Sequence, residues 1–411
     1  MQEKLDIHGY GKRMAKIEQY LDKLPKNNKD LILSFKNYLF TKNLSVPRIL
    51  KYMQCMKKLS DMINELSFIQ NKDLDKLTKN DIQSLVGYIQ QKPYSPYTKH
   101  CYKIIIKKFI CWVKNADDRD IPAEVKWIKA SINKSELKLP GEGDLLTRDE
   151  VEKLINACDN IRDKTFLSVL YESGCRIGEI ASLKINNLVF DKYGVQLNVI
   201  GKTGSRRLRL VNSSFLLRTL IETHPGKNNE NSYLWIRTHN RSENLPMKYV
   251  TFKQLLKRAV VNAGIKKRCY PHLFRHSRAT EMASHLTEFQ MNQYFGWTQG
   301  SDMPSTYVHM NGKEVDSAIL AMNGIKEEEK VGVEKKPVVC SRCSFVNPWE
   351  TKFCLRCSLP LDSKVAFGLE QKEIQQKRVD ILMNELIKEP EIQKMLMNKI
   401  KELGLTQEIL Q

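Results

Sequence analysis

Apolar positions in the first third of the chain recur every three or four residues, the period that sets one stripe of a helix against a core. The spacing predicts helices over Met14–Leu24, Asn28–Phe40, Pro47–Leu66, Lys79–Lys92 and Pro96–Lys114. Several carry start signals: Ser45 ahead of Pro47, Thr78 before a polar first turn, and Ser95-Pro96. In the last helix Ile105, Phe109, Trp112 and Val113 share an apolar stripe, while Lys99, Lys103 and Lys107 recur every four residues on another face. The period is lost over 130–146 (ASINKSELKLPGEGDLL), where Pro, Gly and Ser accumulate as in a linker.

Beyond it, Thr147-Arg148-Asp149-Glu150 has the form of a capping box opening a helix. In the run from Tyr171 to Glu179, Gly174 ends one helix and another begins at once, which sets Arg176 at a helix start beneath a sharp turn. The period then switches to two. Val195, Leu197 and Val199 alternate before Gly201-Lys202-Thr203-Gly204, and Leu208 and Leu210 alternate after it, which predicts a β-hairpin with Lys202 at its tip. Gly-Lys-Thr is not a nucleotide loop here, because Gln196 stands where that loop needs its first glycine. Helical period resumes over Lys248–Ala263 and Leu273–His285, and Thr287–Gln290 is a second capping box leading a short helix to Phe295. A charged, aperiodic stretch, Lys326–Pro337, reads as a second linker. The tail is amphipathic, with Ile374, Leu382, Leu386, Ile392, Leu396 and Ile400 on the helix and a break at Pro390; it suits packing within the chain or against another subunit.

Composition narrows the class. A chain of 411 residues with 41% hydrophobic and 28% charged positions is globular, and too long for one core. The start, MQEKLDIHGYGKRM, lacks the apolar core of a secretory signal and no apolar run spans a bilayer, so a cytoplasmic protein without membrane contact is expected. The net charge of +20 points to a polyanion, most simply nucleic acid. Residues 1–135 hold 26 Lys/Arg against 14 Asp/Glu, so +12 of that charge lies in the first third. Such localisation favours the lysine stripe as a phosphate-tracking surface over the ordinary alternative, a solvated face.

Ten cysteines divide into six scattered ones (55, 101, 111, 158, 175 and 269), read as small buried apolar residues, and a cluster. In the cluster Cys340 and Cys343, then Cys354 and Cys357, form two CxxC pairs ten residues apart. Two such pairs close a tetrahedron of thiolates around zinc, and four thiolates leave no open position, so the ion is expected to be structural. It would let a segment this short fold.

The region Pro271–Tyr307 holds the remaining chemistry. His272 and Arg275 lie three apart on one helix face, Trp297 offers an N–H donor, and Tyr307 follows. Attack on a phosphodiester needs cations on the non-bridging oxygens, an in-line nucleophile and an acid for the leaving oxygen. Arg176 and Arg275 suit the first task because a guanidinium fork binds phosphate through two parallel bonds. Lys202 on a hairpin tip can protonate the leaving oxygen, and His272 can take the tyrosine proton or bond the phosphate. Tyr307 is the expected nucleophile, with Trp297 expected to hold a phosphate oxygen or pack the nucleophile's helix. Each residue alone has an ordinary explanation as surface ion pair, solvated tip or core; jointly and in this order they do not.

GCRIGEI, the GKTG hairpin, HLFRHSRAT, the GW and TYVH together resemble the tyrosine recombinase (phage-type integrase) family. The likeness covers about 146–325, the helical 8–135 is similar to that family's core-binding domain, and the pattern with VDSAILAMNGI and a terminal CxxC ribbon is most similar to archaeal members. The resemblance implies a mainly α fold with a small antiparallel sheet (α+β), and a helical core-binding domain closing with the catalytic domain as a clamp on duplex DNA. It implies Arg176 and Arg275 as phosphate clamps, Lys202 as general acid, His272 opening HxxR, Trp297 at the His/Trp position and Tyr307 as nucleophile. Glu179 and His276 match secondary positions, in support at most. A 3′-phosphotyrosyl intermediate, a tetramer on DNA (monomer or dimer when free) and chemistry without metal or ATP follow from the same resemblance. The expected domains are thus 8–135 (core-binding), 146–325 (catalytic), 338–361 (zinc ribbon) and 364–411 (helical tail). The rivals are a type IB topoisomerase-like nicking enzyme and a non-catalytic DNA-binding regulator.

Overall fold

The computed structural model describes residues 5–70, 72–116, 120–132, 140–237, 245–311, 322, 338–347 and 351–402. The linker Lys326–Pro337, the segment after Asn311 up to residue 321 and the last tail residues lie outside them, as do residues 133–139 of the first linker. The chain divides into two compact units, Met1–Leu139 and Pro140–Gln411, with the cysteine module and the tail in the second.

The first unit is helical: α1 (Tyr10–Leu21), α2 (Lys26–Thr41), α3 (Val46–Glu65), α4 (Lys79–Gln91), α5 (Pro96–Val113) and a single turn, α6 (Ala123–Lys126). The apolar stripes meet in one core in which Phe35 of α2 sets its ring edge-on to Phe109 of α5, with centroids 5.2 Å apart. Thr78 caps α4 reciprocally: its backbone N–H donates to Asp81 and its hydroxyl accepts from the Asp81 N–H. On α5 the lysine face is half-buried rather than free, and Lys99 Nζ donates to the Gln90 carbonyl of α4 at 2.7 Å.

The second unit opens with α7 (Arg148–Asn156), whose Thr147–Glu150 capping box forms as the sequence implies. It continues through α8 (Ile161–Ser173) and α9 (Ile177–Ala181) into a three-stranded antiparallel meander of β1 (Leu188–Asp191), β2 (Gly194–Gly201) and β3 (Gly204–Leu210). Register pairs Val195 with Leu210 and Leu197 with Leu208, so the alternating residues face inward together. Four helices follow: α10 (Ser214–Glu222), α11 (Tyr249–Asn262), α12 (Pro271–Ala283) and α13 (Glu288–Phe295); then α14 (Met303–Asn311). Strand β1 and helix α14 carry too few periodic positions to be seen in the sequence, whereas α10, with Leu217 and Leu220 buried, is an amphipathic helix absent from the expected elements.

Trp235, Phe166 of α8 and Phe252 of α11 centre the core, and Phe166 stands edge-on to Trp235 at 5.4 Å. The buried carboxylate of Glu172 on α8 accepts the backbone N–H groups of Val211, Asn212 and Ser213, which fixes where the hairpin leaves the sheet. A two-stranded pair, β4 (Val338–Val339) with β5 (Val346–Asn347), belongs to the cysteine module, and α15 (Ser363–Leu386) and α16 (Pro390–Glu402) form the tail, with Pro390 opening the second helix. The module is seated on α10 through Phe215, while Arg218 of α10 pairs with Glu370 and lies over the Phe190 and Phe367 rings. Of the scattered cysteines, 55, 158 and 175 are buried, whereas 101, 111 and 269 are only half-buried, a correction to their reading as core.

Candidate active site

Gly174 ends α8 in the left-handed region at φ 55°, where a Cβ would fall 2.6 Å from the Phe295 ring. The chain turns there, so Arg176 becomes the residue preceding α9, with its backbone N–H bonded to Glu179 at 3.0 Å and its guanidinium to the same carboxylate at 3.1 Å. The Arg176 fork is still about one-third exposed, which leaves donors for a ligand.

Arg275 comes from the second turn of α12 and is 2% exposed. Among the described residues its hydrogen bonds go to two backbone carbonyls, Gly174 at 3.0 Å and Phe295 at 2.7 Å. Its Cζ also lies over the Phe295 and Trp297 rings at 5.2 and 5.3 Å. Burial, then the like charge of Arg176, brings its pKa down to about 10, so the group remains a cation at neutral pH. A buried cation whose bonds are to carbonyl dipoles and π faces is under-compensated, and an incoming phosphate completes it.

Lys202 sits exposed at the tip of the β2–β3 hairpin, in a two-residue turn closed by the Gly201–Gly204 pair. Gly204 takes the positive φ of 109°, and a Cβ on Gly201 would stand 2.6 Å from the Glu179 carboxylate and 2.9 Å from Arg206. That contact shows how the tip reaches the arginines. Arg206 of β3, almost fully buried, donates to both Glu179 oxygens at 3.2 and 2.7 Å, to the Tyr294 carbonyl and to Cys175 Sγ. Burial opposes ionisation of Glu179, but the Arg206 fork and Arg176 overcome it and hold the carboxyl below its usual range. Thr203 Oγ1 donates to the Gly296 carbonyl at 3.1 Å, tying the tip to the loop that carries Trp297.

Tyr307, on α14, is 1% exposed. Its ring is stacked on Trp297 at 5.4 Å with 6° between planes, and its hydroxyl lies 2.7 Å from His276 Nδ1. Burial lifts its phenol to about 12, with Arg275 pulling the other way. His272, one turn before His276, stands exposed at the start of α12 with its ring edge-on to that of His276 at 4.9 Å. Loss of hydration, then Arg275 and Arg176, lowers its pKa.

The structure thus brings Arg176, Lys202, His272, Arg275, Trp297 and Tyr307 to one side of the second unit. Trp297 packs against the Tyr307 ring. Arg206 carries no expectation from the sequence, and His276, expected in support at most, stands at hydrogen-bond distance from the Tyr307 hydroxyl. Arg206 shares the inward strand face of Leu208 and Leu210, a readable sign of burial; His276 shares a helix face with His272 four residues earlier. No residue of this site is among the cysteines of the terminal cluster.

In that cluster the four sulfurs lie within 4.8 Å of one another, and the Cys340–Cys357 and Cys343–Cys354 pairs stand at 3.5 Å. Each CxxC pair is followed by a serine in the left-handed region, Ser344 and Ser358, both at φ 56°, and its first cysteine accepts that serine's N–H. Tetrahedral zinc with bonds of about 2.3 Å sets its sulfurs about 3.8 Å apart, so the donor set fits such an ion. Burial pushes the Cys340 thiol up, whereas N–H bonds from Cys357 and Arg356 outweigh burial at Cys354 and hold that thiol below its ordinary pKa.

Residues 144–314 match the model of the phage integrase family. The chain is 27% identical over 273 residues to the tyrosine recombinase XerA of Pyrococcus horikoshii, across 63% of this chain and 93% of the relative. Its fold is similar to that of the XerH site-specific recombinase bound to a palindromic difH substrate, with TM-score 0.53, 16% identity, 79% of this chain and 98% of the other covered. A lambda integrase dimer bound to a COC′ core site gives TM-score 0.52 at 15% identity, covering 68% and 76%.

Proposed function

The chain belongs to the tyrosine recombinase family, and from that premise we propose that it recombines DNA at a specific site through a 3′-phosphotyrosyl bond to Tyr307. It is a DNA-binding enzyme that cleaves and rejoins strands. The observation that carries the assignment of residues is the buried Arg275 cation, bonded to carbonyls, with Tyr307 stacked on the same Trp297 ring it faces.

Arg275 and Arg176 take the non-bridging oxygens of the scissile phosphate, and Tyr307 Oη attacks phosphorus. Lys202 gives its proton to the departing 5′ oxygen. The energy of the phosphodiester is kept in the phosphotyrosine, so rejoining needs no nucleotide cofactor, and the chemistry asks for no metal. Because the tyrosine packs against its own chain's Trp297 and His276, cleavage proceeds within one protomer. Recombination between two sites engages four protomers. Lys103 and Lys107 of α5 meet backbone phosphates, with Lys99 held against α4.

We assign one structural zinc ion to Cys340, Cys343, Cys354 and Cys357; bound there, it cross-links the two turns of the module. The test of the reading is a duplex with a 5′-bridging phosphorothiolate at the cleavage position, where the thiolate leaving group cannot rejoin efficiently. Wild-type protein accumulates a covalent adduct and Tyr307→Phe accumulates none; adduct formation by the phenylalanine variant would remove Tyr307 from the role.

A further inference from the structure

Tyr307 is enclosed. At 1% exposure, with Trp297 across one ring face, its hydroxyl is shielded from bulk solvent, and the group it touches is placed to take its proton. Among the described residues, the contact at hydrogen-bond distance is His276 Nδ1, at 2.7 Å, from a ring that is itself 9% exposed. His272 has a different station: it is exposed at the helix start, one turn away, where it meets a phosphate entering beside Arg275.

Resting on Tyr307 as the nucleophile, we infer that His276 is the catalytic base of the cleavage step, taking the phenolic proton on Nδ1 as Tyr307 Oη attacks phosphorus. The Oη–H bond breaks and Nδ1–H forms; Oη–P forms and P–O5′ breaks, with the proton for O5′ drawn from Lys202. On rejoining, the 5′ hydroxyl returns its proton to Lys202, P–Oη breaks, and Tyr307 recovers its proton from Nδ1. The groups facing the pair are His272 and Arg275 on α12, Arg176 behind His272, Tyr270 just ahead of α12, and Trp297, which does not titrate. Burial, then His272 and Arg275, draws the His276 pKa to about 4, so the ring is neutral with a lone pair to accept. A phosphate on Arg275 offsets that cation and strengthens the base only when DNA is bound.

The test uses full-length protein and the bridging phosphorothiolate duplex, cut from the segment the wild-type protein protects on its own genomic DNA. A thiolate leaving group needs no acid, so the rate reports nucleophile activation alone. His276→Phe and His276→Asn are expected to bind this duplex as wild type does, yet form adduct at least about 100-fold more slowly at neutral pH. That deficit should shrink as pH rises. Asn keeps an acceptor near Nδ1 but holds no proton, so wild-type rate in His276→Asn would reduce His276 to a positioning residue and overturn the inference. Wild-type rate in both variants would overturn it equally. Should either variant fail to bind, the wild-type profile decides: a rate level from about pH 7 to 9 supports an internal base, and a rise of about tenfold per unit means hydroxide does the work. If wild-type protein forms no adduct, Tyr307 itself is misassigned; adduct in wild type and none in Tyr307→Phe leaves only His276 in question.

Discussion

Tyr307 is a weak acid in a place that makes it weaker, its phenol lifted to about 12 by burial. Nearby, Arg275 is kept charged with carbonyls for partners. Removing the fork should be felt where phosphate binds: Arg275→Lys keeps one charge but loses the two parallel bonds, and adduct formation should fall by about 100-fold or more. A wild-type rate in that variant would show that charge alone suffices. The pH dependence of stability belongs to His276. Its folded pKa, about 4, lies below the 6.5 of an unfolded histidine, so the unfolded chain binds the extra proton. Stability is therefore whole above about pH 6.5 and is lost as pH falls toward 4, by up to roughly 3 kcal/mol from this group. The thermal midpoint of His276→Phe should accordingly drop less between pH 7 and 5 than that of wild type; equal drops would place the acid sensitivity elsewhere, as at His224 or His272, whose pKa values are also lowered.

At the level of elements, the site depends on a hairpin held against a helix start. Arg206 links them, with Glu179 as the shared carboxylate for both Arg206 and Arg176. Removing Arg206 leaves the buried Glu179 with Arg176 as its remaining partner, so Arg206→Leu should destabilise the second unit by about 1–3 kcal/mol. The double variant Arg206→Leu with Glu179→Gln should recover part of that loss. Equal melting of single and double variants would mean Glu179 is not stranded. Much of this level could be read in advance: the Thr147 and Thr287 capping boxes, the alternation around the hairpin and the Gly174 turn are all interactions within one turn or between paired neighbours. Strand β1 was not readable, because four residues give too short a run for period two to declare itself.

At the scale of the whole chain, the cysteine module and the active site are separate constructions within the second unit. Chelation should release one zinc per chain and increase hydrogen exchange over 338–361, while protein truncated at Gly324 still forms the phosphorothiolate adduct. Loss of adduct in the truncated chain would show that the module, which is seated on α10 through Phe215, supports the site. The tyrosine's attachment to its own chain gives a second test. Mixing Arg275→Ala with Tyr307→Phe protein should restore no adduct, since neither protomer holds both groups. Restored adduct would mean that the tyrosine is delivered between protomers.

Sequence by itself determined the helical first unit, the hairpin with Lys202 at its tip, the four-thiol cluster and the six residues that carry the expected chemistry. The first three follow from periodicity, caps and spacing set within a few residues of chain, whereas the six, spread from Arg176 to Tyr307, are expected from their joint order and the family resemblance. Only the tertiary structure decided that Tyr307 rests on Trp297, that its hydroxyl meets His276 rather than His272, and that Arg206 binds Glu179 beneath the hairpin. Those partners lie 10, 31 and 27 residues apart, and α14, which delivers the tyrosine, is docked by packing against α12 and α13. A period describes which way a side chain faces on its own element; which groups it meets there is fixed by how separate elements bury those faces against one another.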